Sequence, residues 1–332
     1  RSAILFAGPL LGRCGRATIC QPGGDLIGRR RVDTHVNGLR ALGAVVTHRN
    51  GYAFRSRGLT GTRILLDECS VTATENLVMA AVLARGRTTL YHAACEPHVQ
   101  NLCHLLNAMG ASISGIGTNL LTIDGVERLH GATARIGADF IEAGSYLTAA
   151  VVTGGALTIE GIETEDFAVL EGPFRKFGVK WTIQDGILNL PAAQKLRTAY
   201  DFGDAIPKIE DGPWPAFPSD LMSILIVLAT QTRGIALFFE KMFESRMYFV
   251  DHLISMGARI VQCDPHRVVV TGPAVLHGTC VASPDIRAGI ALLIAALAAR
   301  GETVILNACS IDRGYEEVDV RLRALGAAVE RV

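Results

Sequence analysis

The chain has 332 residues, and its 32 lysines and arginines are balanced by 32 aspartates and glutamates. That balance removes the case for a nucleic-acid or membrane-surface protein, and the length favours two domains over one hydrophobic core. The longest apolar runs are too short to span a bilayer and are interpreted as buried helices, and no signal peptide is found. Because the chain starts with arginine inside an apolar stretch, we expect the true N-terminus to lie upstream.

The eight cysteines are scattered along the chain. They form no CxxC pair and no cysteine–histidine cluster at zinc spacing, so the sequence supports no metal site and no cofactor. We therefore expect reduced, mostly buried thiols in a cytoplasmic protein.

Five octets share one form, in chain order LRALGAVV, LNAMGASI, FRKFGVKW, LISMGARI and LRALGAAV. Each is predicted to end an amphipathic helix, to turn on a glycine in the left-handed conformation and to enter a strand. These glycines recur every 67 to 79 residues, at Gly43, Gly110, Gly178, Gly257 and Gly326.

A second glycine precedes each of the first, at Gly15, Gly86, Gly154, Gly234 and Gly301. It is predicted to close another helix, such as DLMSILIVLATQTRG, that is apolar around nearly its whole circumference and therefore buried. The later helices, such as PHVQNLCHLLNAMG, carry a single apolar stripe and are predicted to lie outside. Short strands such as TTLYHAA, ASISGI and LLTIDG separate and follow the helices.

The repeating unit is therefore helix, strand, helix, strand, strand, with its apolar helices inside. Five units divide poorly between two similar domains, whereas six would divide evenly, so we expect one unit before the first residue. The predicted domains are residues 1–137, with two units and the loop 21–35, and residues 138–332, with three units.

The loop QPGGDLIGRRRVDTH concentrates charge beside two glycines. It follows a predicted strand and leads into a helix N-terminus, where backbone N–H groups favour anions. A solvated charge run is the alternative interpretation of Arg29, Arg30 and Arg31.

Charged residues stand at the ends of elements in the later units as well. Asp220 in PAFPSD and Asp285 with Arg287 in SPDIRAG precede buried helices, while Arg246 in FESRMYF and Arg313 in IDRGYEE lie between a strand and a helix. Several arginines converging on one cleft indicate a substrate with two or three negative charges.

These motifs carry a resemblance to a known family. The stretches PGGDLIGRRRVDTHVNGLRALGA, SVTATEN, AACEPHVQNLCHLLNAMGA, PAFPSDL, FESRMYFVDHLISMGA, PDIRAG and IDRGYEEVDVRLRALGA resemble the UDP-N-acetylglucosamine 1-carboxyvinyltransferases along nearly the whole chain. The resemblance implies an α/β fold, an inside-out α/β barrel of two domains built from βαβαββ units, with five of six units present and the active site between the domains.

It also implies transfer of the enolpyruvyl group from phosphoenolpyruvate to the 3-hydroxyl of UDP-N-acetylglucosamine, with release of phosphate, in the cytoplasm. No nucleic acid, membrane or obligate protein partner is expected. The sister family, 5-enolpyruvylshikimate-3-phosphate synthase, shares the fold but lacks the PGG-x-x-IG-x-R loop. A degenerate paralogue that binds nucleotide sugar without turnover is the non-enzymatic alternative.

By resemblance, Asp220 is the base at the sugar hydroxyl, and Asp25 holds the loop position where most members have the proton-donating cysteine. The alternatives are a helix cap at Asp220 and a turn residue at Asp25. The resemblance assigns Arg30, Arg246, Arg287 and Arg313 to an anion cradle in one cleft between residues 1–137 and 138–332. The other substrate-binding positions are Arg1, Arg31, Val32, Asp33, Thr34, Glu68, Cys69, Ser70, Val71, Met242 and Asp285.

Three residues depart from the family pattern. Arg31 replaces a proline, Glu68 stands where some members have lysine, and Phe140 replaces an arginine before IEAG. The family's Lys-Asn pair that contacts phosphoenolpyruvate is expected upstream of Arg1, so we expect turnover to depend on those upstream residues.

Overall fold

The computed structural model of the protein describes residues 2–25 and 27–332, so the predicted ligand Arg1 lies outside the described residues. Contacts divide the chain into two compact units. The first runs to Gly24 and continues over Arg30–Gly137 and Pro213–Pro215, and the second comprises Asp25–Arg29, Ala138–Gly212 and Ala216–Val332. A domain boundary between residues 137 and 138 stays a prediction.

The first unit alternates helices and short strands. Its elements are α1 (Ala7–Cys14), β1 (Arg16–Cys20), α2 (Asp33–Ala41), β2 (Val45–Arg49), β3 (Gly51–Arg55), β4 (Arg63–Leu65), α3 (Val71–Ala81), β5 (Arg87–Tyr91), α4 (Pro97–Ala108), β6 (Ser112–Ser114) and β7 (Leu120–Asp124). One sheet has the antiparallel order β1-β3-β2. The other has the order β4-β5-β7-β6, with β4 and β5 parallel.

The second unit repeats the same alternation. Its elements are α5 (Phe140–Thr153), β8 (Leu157–Glu160), α6 (Thr164–Arg175), β9 (Thr182–Gln184), β10 (Ile187–Leu190), β11 (Lys208–Glu210), α7 (Met222–Gln231), β12 (Gly234–Phe239), α8 (Val250–Ser255), β13 (Arg259–Asp264), β14 (Arg267–Gly272), β15 (Cys280–Ala282), α9 (Ile286–Ala298), β16 (Val304–Leu306) and α10 (Val318–Ala324). Its sheets have the orders β8-β10-β9, β11-β12-β14-β13 and β15-β16.

The apolar helices lie inside, as predicted. In α7, nine of the ten residues are buried, and in α9 Ala288–Ala295 form an unbroken buried run. Helices α5, α7 and α9 contact one another within the second unit, as α1 and α3 do within the first. Such all-round burial suits helices that are apolar on every face, because each buried Leu or Ile contributes about 1.5–3 kcal/mol.

The outer helices bury one stripe each. In α4, Val99 and Leu106 are buried while Leu102 and Met109 are partly buried against the same core, which confirms the predicted stripe. All ten repeat glycines have positive φ. Gly15 and Gly154 close their helices as predicted. The prediction is wrong for the other three, because α3, α7 and α9 end before Gly86, Gly234 and Gly301, and Gly234 begins β12 with φ 140°.

Three expectations need correction. Five of the eight cysteines are exposed, because Cys20, Cys263 and Cys280 occupy outward positions of alternating strands. The octet LRALGAAV turns at Gly326 but residues 327–332 form no strand, since no described strand pairs with them. Among the described residues the strands form five separate sheets and no closed barrel.

Candidate active site

Asp220 lies in a short 3₁₀ turn, Ser219–Leu221, directly before the buried helix α7. Its Oδ1 accepts a hydrogen bond from Arg246 Nη2 at 3.0 Å, and its Oδ2 accepts one from Arg287 Nε at 3.0 Å. Within the part of the chain that the structure describes, neither the turn nor α7 has a side-chain cap, so the helix-cap interpretation of Asp220 is wrong. The carboxylate is held between two guanidinium groups instead.

The charge of this cluster fixes the ionisation of Asp220. Burial would raise the pKa of the carboxyl, but the charges of Arg287 and Arg246 outweigh burial, and the pKa is lowered. Asp220 is therefore a carboxylate at neutral pH, and that is the form which accepts a proton.

The two arginines keep donors that the protein leaves unused. Arg246 is 5% exposed, and its Nε and Nη1 are buried without a hydrogen bond to the described residues; the same holds for Arg287 Nη1. Arg246 also lies over the Phe243 ring, and Arg287 over that of Tyr315. Buried N–H groups are rarely left unpaired, so this arrangement suits a bound anion.

Two buried acids behind Arg246 were missed by the sequence analysis. Glu240 and Asp211 are both 0% exposed, and Glu240 Oε2 lies 3.8 Å from Arg246 Nε. Burial, followed by the neighbouring Asp211, raises the pKa of Glu240 to about 9. The available signal was a carboxylate directly after an apolar strand, in GIALFFE.

The central residues of the glycine-rich loop, Asp25–Arg29, belong to the second unit. Asp25 Oδ1 accepts a hydrogen bond from Arg313 Nη1 at 2.5 Å. The Ile27 carbonyl accepts one from the Ser245 N–H at 3.1 Å, and the Arg29 N–H donates to Glu244 Oε2 at 3.2 Å. The loop thus contacts the residues directly before Arg246, and Glu244 is a second residue that the sequence analysis missed.

The predicted arginines therefore occupy two neighbourhoods of the second unit. Arg246 and Arg287 share Asp220, while Arg313, at the end of the 3₁₀ helix Ala308–Arg313, contacts Asp25. Arg30 belongs to the first unit. That all four line one cleft stays a prediction.

Asp285 has a structural role in the same region. Its Oδ1 accepts hydrogen bonds from the N–H groups of Arg287 and Ala288, which caps α9 and fixes the backbone that carries Arg287. A substrate contact of Asp285 stays a prediction.

The predicted sugar-binding segments of the first unit lie beside one another. Thr34 Oγ1 donates to Asp67 Oδ1 at 2.5 Å, which ties the start of α2 to the segment that holds Glu68 and Cys69. Ser70 caps α3 by accepting from the Ala73 N–H. Burial raises the pKa of Cys69 to about 11, so its thiol is not ionised at neutral pH. The first residues of α2 therefore lie close to the segment before α3, and a contact of these segments with a nucleotide sugar stays a prediction.

The remaining predicted positions lie at the starts of helices α2 and α3 and near Glu240. Val32 occupies the N-terminal flank of α2, Val71 begins α3, and Arg31 pairs with Asp33 at 2.8 Å. Met242 is 40% exposed, and its N–H donates to Glu240 Oε1. The other departure, Phe140, is buried at the start of α5, where a charged arginine would need a partner.

Comparison with known proteins identifies the family to which the chain is similar. A family model described as EPSP synthase (3-phosphoshikimate 1-carboxyvinyltransferase) matches residues 1–322. The UDP-N-acetylglucosamine 1-carboxyvinyltransferase of Treponema pallidum is 56% identical over 329 residues, covering 99% of this chain and 77% of that protein. That of Bradyrhizobium diazoefficiens is 53% identical over 332 residues, covering 100% and 77%.

The chain belongs to the UDP-N-acetylglucosamine 1-carboxyvinyltransferase family. The family resemblance of the sequence is thereby confirmed, and the protein is a member of a transferase family.

Solved enolpyruvyl transferase structures show the same fold. The enolpyruvyl transferase NikO from Streptomyces tendae superposes with a TM-score of 0.84 at 25% identity, covering 97% of this chain and 76% of NikO. An EPSP synthase from Acinetobacter baumannii gives a TM-score of 0.71 at 15% identity, covering 98% and 77%. The predicted enolpyruvyl transferase-like α/β fold is confirmed.

Within this family fold, the described residues hold no group of three or more His, Cys, Asp or Glu side chains placed to bind a metal ion. None of the helices in residues 2–25 and 27–332 combines the length and apolarity needed to cross a membrane.

Proposed function

We propose that this member of the UDP-N-acetylglucosamine 1-carboxyvinyltransferase family transfers the enolpyruvyl group of phosphoenolpyruvate to the 3-hydroxyl of UDP-N-acetylglucosamine and releases phosphate. One observation supports the proposal above all others. The Asp220 carboxylate is held between Arg246 and Arg287, and the remaining buried N–H groups of the two arginines suit an anion. The relatives' name supports UDP-N-acetylglucosamine as the acceptor and a carboxyvinyl group as the group that is transferred.

The chemistry needs a base, an acid and cations. The sugar O3 attacks C2 of phosphoenolpyruvate while Asp220 accepts the hydroxyl proton and Asp25 gives a proton to the methylene carbon, which forms a tetrahedral phospho-ketal. The C2–O bond to phosphate then breaks, phosphate leaves, and a proton of the new methyl group returns to the Asp25 carboxylate, which restores the double bond. The guanidinium groups of Arg246 and Arg287 stabilise the carboxylate and phosphate charges throughout.

The remaining assignments rest on the family resemblance. We propose that Arg30 and Arg313 complete the anion cradle, and that the segments Arg30–Thr34 and Glu68–Val71, with Met242 and Asp285, contact the nucleotide sugar. Thr34 bonded to Asp67 supports a common surface for the two segments.

We place the reaction in the cytoplasm, at the first committed step of peptidoglycan precursor synthesis. Eight free thiols are typical of a reducing compartment. Cell-wall biogenesis, cell shape and cell division would then depend on this enzyme.

The test is phosphate release by the full-length protein from phosphoenolpyruvate with UDP-N-acetylglucosamine, compared with shikimate 3-phosphate as acceptor. With phosphoenolpyruvate present, we expect turnover when UDP-N-acetylglucosamine is the acceptor and none when shikimate 3-phosphate is the acceptor. Turnover with shikimate 3-phosphate would favour the sister reaction, and binding of the nucleotide sugar without turnover would favour a degenerate paralogue.

The variant Asp220→Ala sharpens this test. We expect turnover to fall about a hundredfold or more, the scale of a lost general base, while nucleotide-sugar binding is weakened but retained. Asp264→Ala is the matched control, since Asp264 pairs with the exposed Arg267 and takes no part in the proposed site. Near-normal turnover of Asp220→Ala would remove the base assignment.

A further inference from the structure

Two acids of the second unit are placed side by side by the sheet. Strands β11 and β12 are parallel, and Glu210 is the register partner of Phe239. Asp211 and Glu240 follow these two residues directly, and the Asp211 N–H bonds to the Phe239 carbonyl. Because neighbouring strands lie about 4.8 Å apart, the two carboxyl groups are lateral neighbours.

Their hydrogen bonds leave one oxygen without a donor. Glu240 accepts from Ser219 Oγ at 2.8 Å and from the Met242 and Phe243 N–H groups, and Asp211 Oδ1 accepts from the Lys241 N–H. Asp211 Oδ2 is buried and receives no hydrogen bond from an N–H or hydroxyl group of the described residues.

The charged and titratable groups described beside Asp211 and Glu240 are bonded to other partners. Arg246 faces Glu240 at 3.8 Å, beyond hydrogen-bond distance, while its bonded partner is Asp220. Lys208 and Lys241 both pair with Glu210, and the His266 ring contacts the Glu240 backbone carbonyl rather than its carboxyl group. Two adjacent buried carboxylates would repel each other, and one proton shared between them removes that repulsion.

We propose that Asp211 and Glu240 share one proton, carried by Glu240 and donated to Asp211 Oδ2, and that this pair positions Arg246 without neutralising it. Glu240 is thus a positioning residue. The proton leaves the Glu240 carboxyl group, which faces Arg246 Nε at 3.8 Å, without a charge. Arg246 then faces a single full carboxylate, Asp220, and keeps its attraction for an anion.

The kinetic consequence rests on the proposed function, and it distinguishes variants that are nearly identical in shape. Glu240→Gln imitates the protonated acid, since its amide donates to Asp211, so we expect KM for phosphoenolpyruvate within about threefold of the wild-type value. Asp211→Asn removes the neighbouring carboxylate whose repulsion keeps Glu240 protonated. Glu240 then ionises, and its negative charge lies beside Arg246. We expect KM for phosphoenolpyruvate to rise about tenfold, the scale of one pKa unit, with kcat changed far less.

The double variant Asp211→Asn with Glu240→Gln removes the negative charge altogether. We expect it to restore a low KM for phosphoenolpyruvate, because Arg246 then faces the Asp220 carboxylate without a second charged acid at residue 240, as in the wild-type protein. If Glu240→Gln raised KM as much as Asp211→Asn does, Glu240 would be an ordinary carboxylate partner of Arg246 and the proposal would be wrong.

A spectroscopic measurement tests the proton independently of turnover. Infrared difference spectra of the wild-type protein at neutral pH should show the C=O stretch of a buried protonated carboxyl group that is absent in Glu240→Gln. Glu210→Gln is the matched control, since Glu210 is partly exposed and bound to two lysines, and its spectrum should keep that band. Absence of the band in the wild-type protein would overturn the proposal, whereas a band without turnover would count only against the proposed function.

Discussion

At the scale of single residues, charge decides what each acid does. Asp220, Asp25 and Glu240 are all carboxyl groups close to arginines, yet their partners differ. Asp220 accepts from two guanidinium groups, Asp25 accepts from one, and Glu240 faces a second acid with Arg246 beyond hydrogen-bond distance. The first is held ionised and the last is held protonated, so one residue type supplies both a proton acceptor and a neutral support.

The same reasoning predicts the response of the loop to an electrophilic drug. By the family resemblance, the cysteine usual at the position of Asp25 attacks the epoxide ring of fosfomycin and is alkylated, and a carboxylate is a far poorer nucleophile than a thiolate. We expect the full-length wild-type protein to resist fosfomycin, and Asp25→Cys to keep turnover and become sensitive. Mass spectrometry should then find an adduct of the drug's mass at residue 25.

The variant Asp25→Ala tests whether Asp25 is the proton donor or only a turn residue. We expect the alanine variant to lose most turnover while its fold is unchanged. Normal turnover of Asp25→Ala, or alkylation of the wild-type protein as fast as of Asp25→Cys, would reduce Asp25 to a turn residue.

At the scale of elements, hydrogen bonds fix the glycine-rich loop to the residues directly before Arg246. Ile27 and Arg29 bond through their backbones to Ser245 and Glu244, so the segment that carries Arg246 also holds the loop. Gly28 stands between them with φ 124°, and a Cβ atom there would collide with the Glu244 side chain. The sequence of the loop is therefore constrained by close approach as well as by charge.

Gly28→Ala should weaken the hold of the loop. A positive φ and the collision with Glu244 add strain of about 1–3 kcal/mol to this conformation. We expect KM for phosphoenolpyruvate to rise about tenfold, which corresponds to about 1.4 kcal/mol.

Gly23→Ala is the matched control in the same loop. An added Cβ at Gly23 meets no atom of residues 2–25 or 27–332 within 4 Å, and Gly23 is not among the glycines with positive φ. Its KM should stay at the wild-type value. Equal effects of the two substitutions would mean that loop flexibility, rather than the contact at Gly28, controls binding.

At the scale of the whole molecule, buried acids tie stability to pH. The pKa of Glu240 is raised from 4.5 to about 9, chiefly by burial. Between those two pH values the folded protein holds a proton that the unfolded chain releases. Stability is therefore greatest at the low end of this window and falls as pH rises, by up to about 1.4 kcal/mol per pH unit.

Glu240→Gln removes this dependence. We expect the free energy of unfolding of the variant, measured by urea denaturation, to gain steadily on that of the wild type from pH 6 to pH 9. Glu75, whose pKa burial raises to about 7, contributes a fall of the same sign in both proteins and cancels in the difference. A difference that stays constant over this range would show that Glu240 is already ionised at pH 6.

The repeat, the inner and outer helices and the turning glycines could be predicted before folding, because they depend on local apolar periodicity and on residues that close helices, while the quoted motifs pointed to the family. The sequence also placed Asp220, Arg246, Arg287 and Arg313 at the ends of elements. Which of these side chains meet depends on how the chain folds. Arg246 lies 26 positions after Asp220 and Arg287 lies 67 positions after it, and folding brings all three together. The pairing of Asp211 with Glu240 likewise depends on the register of β11 against β12, and no spacing along the chain encodes that register.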